Sequence, residues 1–426
     1  MQASLVTTLF VIALLAATAA GLWLTTRQMR HVAAHRDRVP TAFAARVAAD
    51  AHRRAADYTV AKGRLSLAST ALGAAVALGW TLLGGLGALS IGLRDALLPS
   101  AGPMAYQLAL LAAFVLIGAL ISLPLEWIAT FGVEQRFGFN RSTPGLFLAD
   151  QAKGLALLAL IGLPLAALVL WLMDRAGALW WLWAWGAWVA FSLLMMVVVP
   201  TWIAPLFNTF KPLDDEALAA RVRALLARCG FQAGGLFVMD GSRRSAHGNA
   251  YFTGLGAAKR VVFFDTLLAK LEPAEVEAVL AHELGHFRLR HVHKRLGAAF
   301  AVGLGAFALL GWLSAQTAFY EGLGVAPNLG APNDALALIL FVLALPPFAF
   351  FAAPLGAMLS RRHEFEADAF ACAHAQGAAL SSALVKLHQD NASTLTPDHW
   401  YARFHYSHPP AAERLAVLPA PAGAAA

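Results

Sequence analysis

Two histidines and a glutamate stand at the spacing of a catalytic zinc motif. His282, Glu283 and His286 belong to the sequence His-Glu-Leu-Gly-His. On an α-helix, residues four positions apart share one face about 6 Å apart, so both imidazoles reach one Zn²⁺ while Glu283 lies beside the open coordination position. Zinc held in this way acidifies a water molecule and polarises a carbonyl, and Glu283 passes the proton to the leaving amine. The motif predicts peptide hydrolysis.

The motif alone is weak evidence, because a chain with 14 histidines can contain it by chance. A catalytic zinc also needs a third protein ligand, which thermolysin-like sites take from a carboxylate on a later helix. Residues 358–372 have a helical pattern in which Glu364 and Asp368 lie four positions apart on one face. We expect Glu364 to bind the metal and Asp368 to accept a hydrogen bond from a ligand imidazole.

A second interpretation of this segment is a solvated helix face on which Glu364 and Glu366 pair with Arg361 and Arg362. We favour that interpretation for Glu366. Glu364 differs because two long apolar stretches separate it from His286, and two membrane crossings return the chain to the same side of a bilayer. That return is what shared coordination of one ion requires.

The composition indicates an integral membrane protein. Of the 426 residues, 59% are hydrophobic and 13% are charged, and the mean hydropathy is +0.61. Cys229 and Cys372 are too few cysteines for a disulfide-stapled secreted module. A bilayer requires about 20 apolar residues per helix. Stretches of that length lie near 4–26, 66–93, 104–126, 154–173, 179–203, 296–316 and 335–358.

The distribution of basic residues predicts the orientation of these seven spans. With the N-terminus outside and the first span retained as an anchor, all of the 32 Lys and Arg residues except Arg94 and Arg175 fall on the cytoplasmic side. Cleavage of the first span as a signal peptide is the alternative, but no positive charge precedes it. The net charge of +7 is explained by anionic lipid, so we expect no nucleic-acid partner.

The predicted fold is therefore an all-α, multi-span membrane protein with about seven transmembrane helices and a small α+β, gluzincin-like zinc protease region. Glycine-punctuated β-branched and aromatic segments predict two or three strands in that region. The expected parts are a membrane region with five helices (1–205), a cytoplasmic metalloprotease region (206–295), two further spans (296–358) and a C-terminal cytoplasmic segment with the third ligand (359–426).

Motifs beyond the zinc helix resemble those of the type I CAAX prenyl protease family of integral-membrane zinc metalloproteases. The motifs are 133–140 (VEQRFGFN), 205–213 (PLFNTFKPL), 249–254 (NAYFTG), 282–286 (HELGH), 364–371 (EFEADAFA) and 405–410 (HYSHPP) with Arg414. They follow one another in order across most of the chain.

This resemblance implies one zinc ion per chain, bound by His282, His286 and Glu364. It implies Glu283 as the catalytic base and Asp368 as a support for the ligands, paired with Arg414. It also implies removal of C-terminal tripeptides from prenylated proteins, so the expected partners are peptide or protein substrates, lipidated or membrane-bound, and the bilayer.

Two further motifs have physical interpretations of their own. Asn249, Ala250 and Tyr251 look like the start of an edge strand that holds an extended peptide, with the Asn249 amide clamping its backbone. An ordinary turn asparagine is the alternative. His408 is placed to donate to the oxyanion that forms at the attacked carbonyl. Its alternative is a histidine that fixes the turn before two prolines, and Tyr406 is a weaker candidate for the oxyanion role.

The basic residues after the zinc helix look like an interfacial collar at the start of the sixth span. They are Arg288, Arg290, His291, His293, Lys294 and Arg295. We assign them no part in the chemistry.

Other functions stay open at this level. A quality-control membrane protease resembling the heat-shock zinc proteases would use the same site on damaged membrane proteins. A non-catalytic membrane chaperone or transporter with a structural metal is an alternative of another class. The alanine-rich, lysine-poor composition, without an ER retrieval signal, points to a bacterial inner membrane with the active site facing the cytoplasm.

Overall fold

Long apolar helices account for most of the chain. The computed structural model describes residues 2–231, 234–253 and 260–419, so Gly254 at the end of the Asn249 motif lies outside the described residues. Six helical stretches within them are long and apolar enough to cross a membrane. They are Ala3–Ala34, Gly85–Glu134, Pro144–Arg175, Gly177–Phe207, His291–Ser314 and Asp334–His374. The prediction of a multi-span helical membrane protein is confirmed.

The described helices and strands are numbered in chain order. The first helices are α1 (Ala3–Ala34), α2 (Ala49–Trp80), α3 (Gly85–Trp127), α4 (Pro144–Leu157), α5 (Leu163–Arg175), α6 (Trp180–Val198), α7 (Ala204–Phe207) and α8 (Glu216–Arg228). The later ones are α9 (Asp265–Leu268), α10 (Pro273–Arg288), α11 (His291–Ser314), α12 (Thr317–Gly322), α13 (Asp334–Ala349), α14 (Ala353–His374), α15 (Gly377–Asp390), α16 (His399–His405) and α17 (Ala411–Leu415). The strands are β1 (Phe210–Pro212), β2 (Leu236–Met239), β3 (Ala250–Thr253) and β4 (Arg260–Phe264).

The chain turns inside the predicted second span. The prediction for 66–93 is wrong in its bounds, because α2 ends at Trp80 and α3 begins at Gly85. Gly84 between them has a φ of 81°, a left-handed conformation that glycine adopts without steric cost. Residues 81–84 are mostly apolar, so hydropathy gives no sign of this turn. Helix α2 has the length to cross a bilayer, but its first half is charged and it is not among the six stretches.

A four-stranded sheet lies in the polar region before α10. Its strand order is β1-β2-β4-β3, with β2 and β4 parallel and the other neighbours antiparallel. This is one strand more than the sequence predicts, and β3 lies at an edge, as expected for its motif. Val261 and Phe263 of β4 belong to one buried core with Val222 of α8 and Leu280 and Leu284 of α10. The sheet is therefore the platform on which α10 rests.

A capping box fixes the first turn of α10. Pro273 begins the helix, and the Glu275 carboxylate accepts a hydrogen bond from the backbone N–H of Glu272 at 2.8 Å. Glu275 is buried and also accepts from Ser382 Oγ at 2.6 Å and from Lys386 Nζ at 2.8 Å, both on α15. The same carboxylate thus starts α10 and attaches it to α15.

Helices α10 and α14 approach each other closely at Gly285. A Cβ atom at this position would lie 3.0 Å from Ala367 Cα, 3.1 Å from Phe370 Cβ and 3.2 Å from the Ala367 carbonyl oxygen. Two of these three atoms belong to the backbone of α14, which cannot rotate away. The absence of a side chain at Gly285 is therefore what allows the two helices to come this close.

We predict that Gly285→Ala destabilises the protein. Glycine-to-alanine changes inside helices ordinarily stabilise by about 0.5–1 kcal/mol, but here the added methyl group meets backbone atoms, and overpacking costs about 1–3 kcal/mol. Gly356→Ala on α14 is the matched control, since no described atom beyond the local backbone of its own helix lies within 4 Å of its Cβ position. Thermal unfolding in detergent should show a lower Tm for Gly285→Ala alone, and an equal or higher Tm would contradict the packing argument.

Candidate metal centre

Three side chains from α10 and α14 converge on one point. His282 Nε2 and His286 Nε2 lie 3.3 Å apart, as expected for positions one helical turn apart. Glu364 Oε2 lies 3.4 Å from His282 Nε2, and Glu364 Oε1 lies 3.4 Å from His286 Nε2. The structure therefore brings together the three residues that the sequence nominates as metal ligands.

The surroundings of Glu364 fit a bound cation. Its side chain is 2% exposed, and its Oε2 atom has no hydrogen-bond partner among the described residues. A buried carboxylate oxygen left in this state costs about 1–3 kcal/mol or more. Two nitrogen donors and one oxygen donor separated by 3.3–3.4 Å match the edges of a tetrahedron whose centre is about 2.0–2.1 Å from each donor, the bond length of zinc to nitrogen and oxygen. A divalent metal between the three side chains would satisfy this Glu364 oxygen.

Asp368 and Arg414 hold the first imidazole from behind. His282 Nδ1 and Asp368 Oδ1 are 2.8 Å apart, and Arg414 Nε donates to Asp368 Oδ2 at 2.8 Å. All three residues are buried. The carboxylate requires a proton on Nδ1, which leaves the lone pair of Nε2 directed towards His286 and Glu364.

Glu283 faces a cavity beside these ligands. The cavity has a volume of about 850 Å³, and its lining includes Glu283, His286, Glu364, His408 and the edge-strand residue Tyr251. Burial raises the pKa of the Glu283 carboxyl, while the neighbouring imidazoles oppose that effect. A carboxylate with a raised pKa is a stronger base, which is what proton abstraction from water near neutral pH requires.

The two oxyanion candidates lie in different places. His408 Nε2 is 3.5 Å from Glu364 Oε1, and its Nδ1 is 3.1 Å from Ser407 Oγ, so the ring directs Nε2 into the cavity. Tyr406 instead accepts a hydrogen bond from Gln28 Nε2 of α1 at 3.3 Å and lines a separate cavity. Burial raises the pKa of Tyr406 to about 12. The structure does not bring Tyr406 to the metal centre.

The edge strand borders the same cavity. Ala250 pairs with Phe263, and Tyr251 pairs with Val262, which leaves the outer edge of β3 without a partner strand among the described residues. Asn249 Oδ1 accepts from the backbone N–H of Ala250 at 2.8 Å, as a turn asparagine does. Asn249 itself is exposed.

Sequence reasoning missed the surroundings of the second imidazole. His291 is not part of an exposed collar, since it is 1% exposed and its Nδ1 lies 3.0 Å from Nδ1 of His286. Glu366 does pair with Arg362, with 3.0 Å between Oε1 and Nε, but its other oxygen lies 2.9 Å from His291 Nε2. No helical period reveals this, because the chain leaves the helical path at Arg290, whose φ is 58°.

Two family models together match most of the chain. Residues 28–209 match the family model described as the CAAX prenyl protease N-terminal region with five membrane helices, and residues 212–422 match the model of peptidase family M48.

Curated relatives cover most of the chain. The CAAX prenyl protease 1 homolog of Oryza sativa subsp. japonica is 36% identical over 74% of this chain and 73% of its own length. CAAX prenyl protease 1 of Saccharomyces cerevisiae is 34% identical over 78% and 76%, and the human homolog is 32% identical over 73% of each chain. The crystal structure of S. mikatae Ste24p superimposes with a TM-score of 0.90 at 29% identity, covering 98% of this chain and 99% of that one.

A helical membrane domain joined to a His-Glu-x-x-His helix and a distant carboxylate defines a membrane-embedded metallopeptidase. The two family models and the names of the relatives belong to that class. The chain belongs to the CAAX prenyl protease 1 family within peptidase family M48. This membership argues against the non-catalytic chaperone or transporter.

We predict that Arg414→Leu is strongly destabilising. It leaves the buried Asp368 carboxylate without its guanidinium partner, and breaking a buried ion pair typically costs about 3–5 kcal/mol. Arg223→Leu is the control, because Arg223 pairs with Glu216 at an exposed site where such pairs contribute about 0–1 kcal/mol. Thermal unfolding compares the two variants, and equal losses of Tm would show that the buried pair has no special weight.

Proposed function

We propose that this protein is a zinc metalloendopeptidase that cleaves extended peptides presented at the membrane surface. The observation that carries the proposal is the unsatisfied Glu364 carboxylate facing two imidazole Nε2 atoms, at a cavity bordered by a free strand edge. We further propose that residues 206–295 and 359–426 form the catalytic unit and that 1–205 and 296–358 embed it in the bilayer.

The proposed mechanism assigns each step to a side chain. His282, His286 and Glu364 would hold a zinc ion, which when bound would polarise the scissile carbonyl and acidify a water molecule. Glu283 accepts the proton of that water and later donates it to the leaving nitrogen. His408 donates from Nε2 to the oxygen of the tetrahedral intermediate, a contribution of roughly 3–4 kcal/mol in comparable sites.

The outer edge of β3, which has no partner strand in the described part of the chain, is the proposed binding surface for the substrate backbone. An extended peptide added to this edge forms main-chain hydrogen bonds with Ala250 and Phe252, whose backbone groups point away from β4. The backbone of Tyr251 faces β4, so this residue contributes by lining the cavity, and the side-chain amide of Asn249 lies at the start of the same strand. Binding by strand addition depends mainly on the backbone of the substrate and less on its side chains. We therefore expect tolerance of varied sequences, with selectivity set by how the substrate reaches the cavity.

The relatives suggest the class of substrate. Those compared above are named as CAAX prenyl proteases, and we propose that this chain likewise removes C-terminal tripeptides from prenylated, membrane-bound proteins. The quality-control function on unfolded membrane proteins would use the same residues. Parallel assays with a prenylated peptide, the same peptide without its lipid and an unfolded membrane protein distinguish the two substrate classes.

We predict that Glu283→Gln abolishes cleavage but keeps the metal. The amide cannot accept a proton, and loss of a general base typically costs about 10²–10⁴-fold in rate. Glu277→Gln is the control on the same helix, since Glu277 pairs with Arg221 and Arg228 and faces away from the cavity. Cleavage of a fluorogenic peptide and zinc content by atomic absorption are measured together.

Glu364→Gln provides the contrasting result in that experiment. It removes a charged ligand, so zinc content should fall together with activity, whereas Glu283→Gln should lose activity alone. Full activity in Glu283→Gln would overturn its role as the base. Unchanged zinc content in Glu364→Gln would exclude it as a ligand.

We propose that the chain lies in a bacterial inner membrane with its N-terminus outside and the metal centre facing the cytoplasm. The distribution of Lys and Arg supports this orientation. It predicts that, in a background without Cys229 and Cys372, an impermeant maleimide labels Asp174→Cys in cells with a permeabilised outer membrane. Glu216→Cys should react only after the inner membrane is opened. The reverse pattern would show the opposite orientation.

A further inference from the structure

The second histidine of the zinc helix has a support of its own, built from groups outside the proposed mechanism. His286 Nδ1 lies 3.0 Å from His291 Nδ1, and His291 Nε2 lies 2.9 Å from Glu366 Oε2. Glu366 Oε1 in turn accepts from Arg362 Nε at 3.0 Å. A continuous chain of contacts thus runs from His286 to an exposed arginine on α14.

The atom of His286 that faces the metal determines which group donates and which accepts at each contact in this series. When Nε2 of His286 is a ligand, Nδ1 carries the ring proton and must donate. Nδ1 of His291 therefore accepts, so the proton of His291 lies on Nε2 and is donated to the Glu366 carboxylate. Every nitrogen of both rings has one role. The arrangement leaves no second orientation for His286.

The turn between α10 and α11 makes this contact possible. On a continuous helix, positions five apart point about 140° away from each other, since each residue advances about 100°. Arg290 adopts a left-handed conformation with a φ of 58°, and the new helix begins at His291 with its ring facing back. Such backbone strain in a non-glycine residue costs about 1–3 kcal/mol and is retained where the surroundings require it.

Helix α14 holds the His291 ring from its other side. His363 stacks on His291 with ring centroids 4.0 Å apart and an interplanar angle of 11°. Both rings are buried. Because the lone pairs lie in the ring planes, two nearly parallel rings at this separation do not direct them at one ion. The cluster of His291, His363 and Glu366 is therefore arranged to orient a neighbour and not to bind a second metal.

We propose that His291 is a positioning residue for His286 and that Glu366 acts through His291. The proposal rests on the zinc site described above. It gives each ligand imidazole its own support: Asp368 with Arg414 behind His282, and His291 with Glu366 behind His286. One support is a buried carboxylate in direct contact, and the other reaches its carboxylate through an intervening ring.

The test is the zinc affinity of the purified full-length protein, measured by competition with a chromophoric chelator. His291→Phe retains the stacking surface and loses the acceptor, so its zinc dissociation constant should rise about 10- to 100-fold, as for other partners of metal-bound histidines. His291→Asn places an amide oxygen near the position of Nδ1 and should recover part of the affinity. His293→Phe, at an exposed position two residues away, should leave the affinity unchanged.

The absorption spectrum of bound Co²⁺ is a second measurement, and it reports the geometry of the ligands and not the packing around His291. The visible absorption bands of bound Co²⁺ should shift in His291→Phe because the geometry of His286 changes, and they should stay fixed in His293→Phe. Glu366→Leu should weaken zinc binding in the natural chain but add nothing in the His291→Phe background, since its effect passes through that ring. If His291→Phe does not fold, His291→Asn and Glu366→Leu are compared in the same way.

The outcomes separate this inference from the proposed function. A natural chain that binds no zinc overturns both. The role of His291 alone is overturned if the wild-type protein binds one zinc ion and His291→Phe has the same zinc affinity and the same cobalt spectrum. Two bound zinc ions, one of them lost in His363→Phe, would show that the cluster holds a metal itself and would also overturn it.

Discussion

Helices α10 and α14 come from parts of the chain separated by two membrane spans, and they pack without a side chain between Gly285 and Ala367. This contact places the buried carboxylates of Glu364 and Asp368 within reach of His282. Isolated buried charges are too costly to persist, so each must meet a cation or a hydrogen-bond donor. The rest of the centre follows from that requirement: Arg414 neutralises one carboxylate, and the imidazoles with their metal are proposed to neutralise the other.

The chemistry of the centre was largely readable from the sequence because it repeats at helical spacing. His282 with His286, and Glu364 with Asp368, are each four residues apart, and the structure brings the two pairs together. Arg414 was available only through the resemblance, since nothing in its local sequence indicates a buried partner. His291 was misassigned because the helical period that identifies His286 points His291 elsewhere. Only the left-handed Arg290, which no propensity predicts, turns it back.

For the membrane helices, too, the sequence pattern predicts the elements but not the backbone conformations that end them. Hydropathy predicted their number approximately and placed most of them well, because about 20 apolar residues are a strong signal. It failed at 66–93, where the helix ends and a new one begins around Gly84 although the sequence stays apolar throughout. The edge position of β3 was inferred correctly from its motif, whereas β1, only three residues long, gave no readable alternation. Short elements and single dihedral angles are thus where sequence reasoning ends.

The order of the parts along the chain has a consequence for biosynthesis. The ribosome completes the His-Glu-x-x-His helix before the last two spans, and Glu364 and Arg414 emerge only afterwards. Arg27 and Gln28 of α1 also bind Asp398, so these contacts of the first helix form only after the C-terminal segment has been synthesised. A nascent chain therefore holds an incomplete set of the proposed ligands until α11 and α13 have been inserted. Completion of the site at this late stage spares neighbouring polypeptides from hydrolysis while the chain is being inserted.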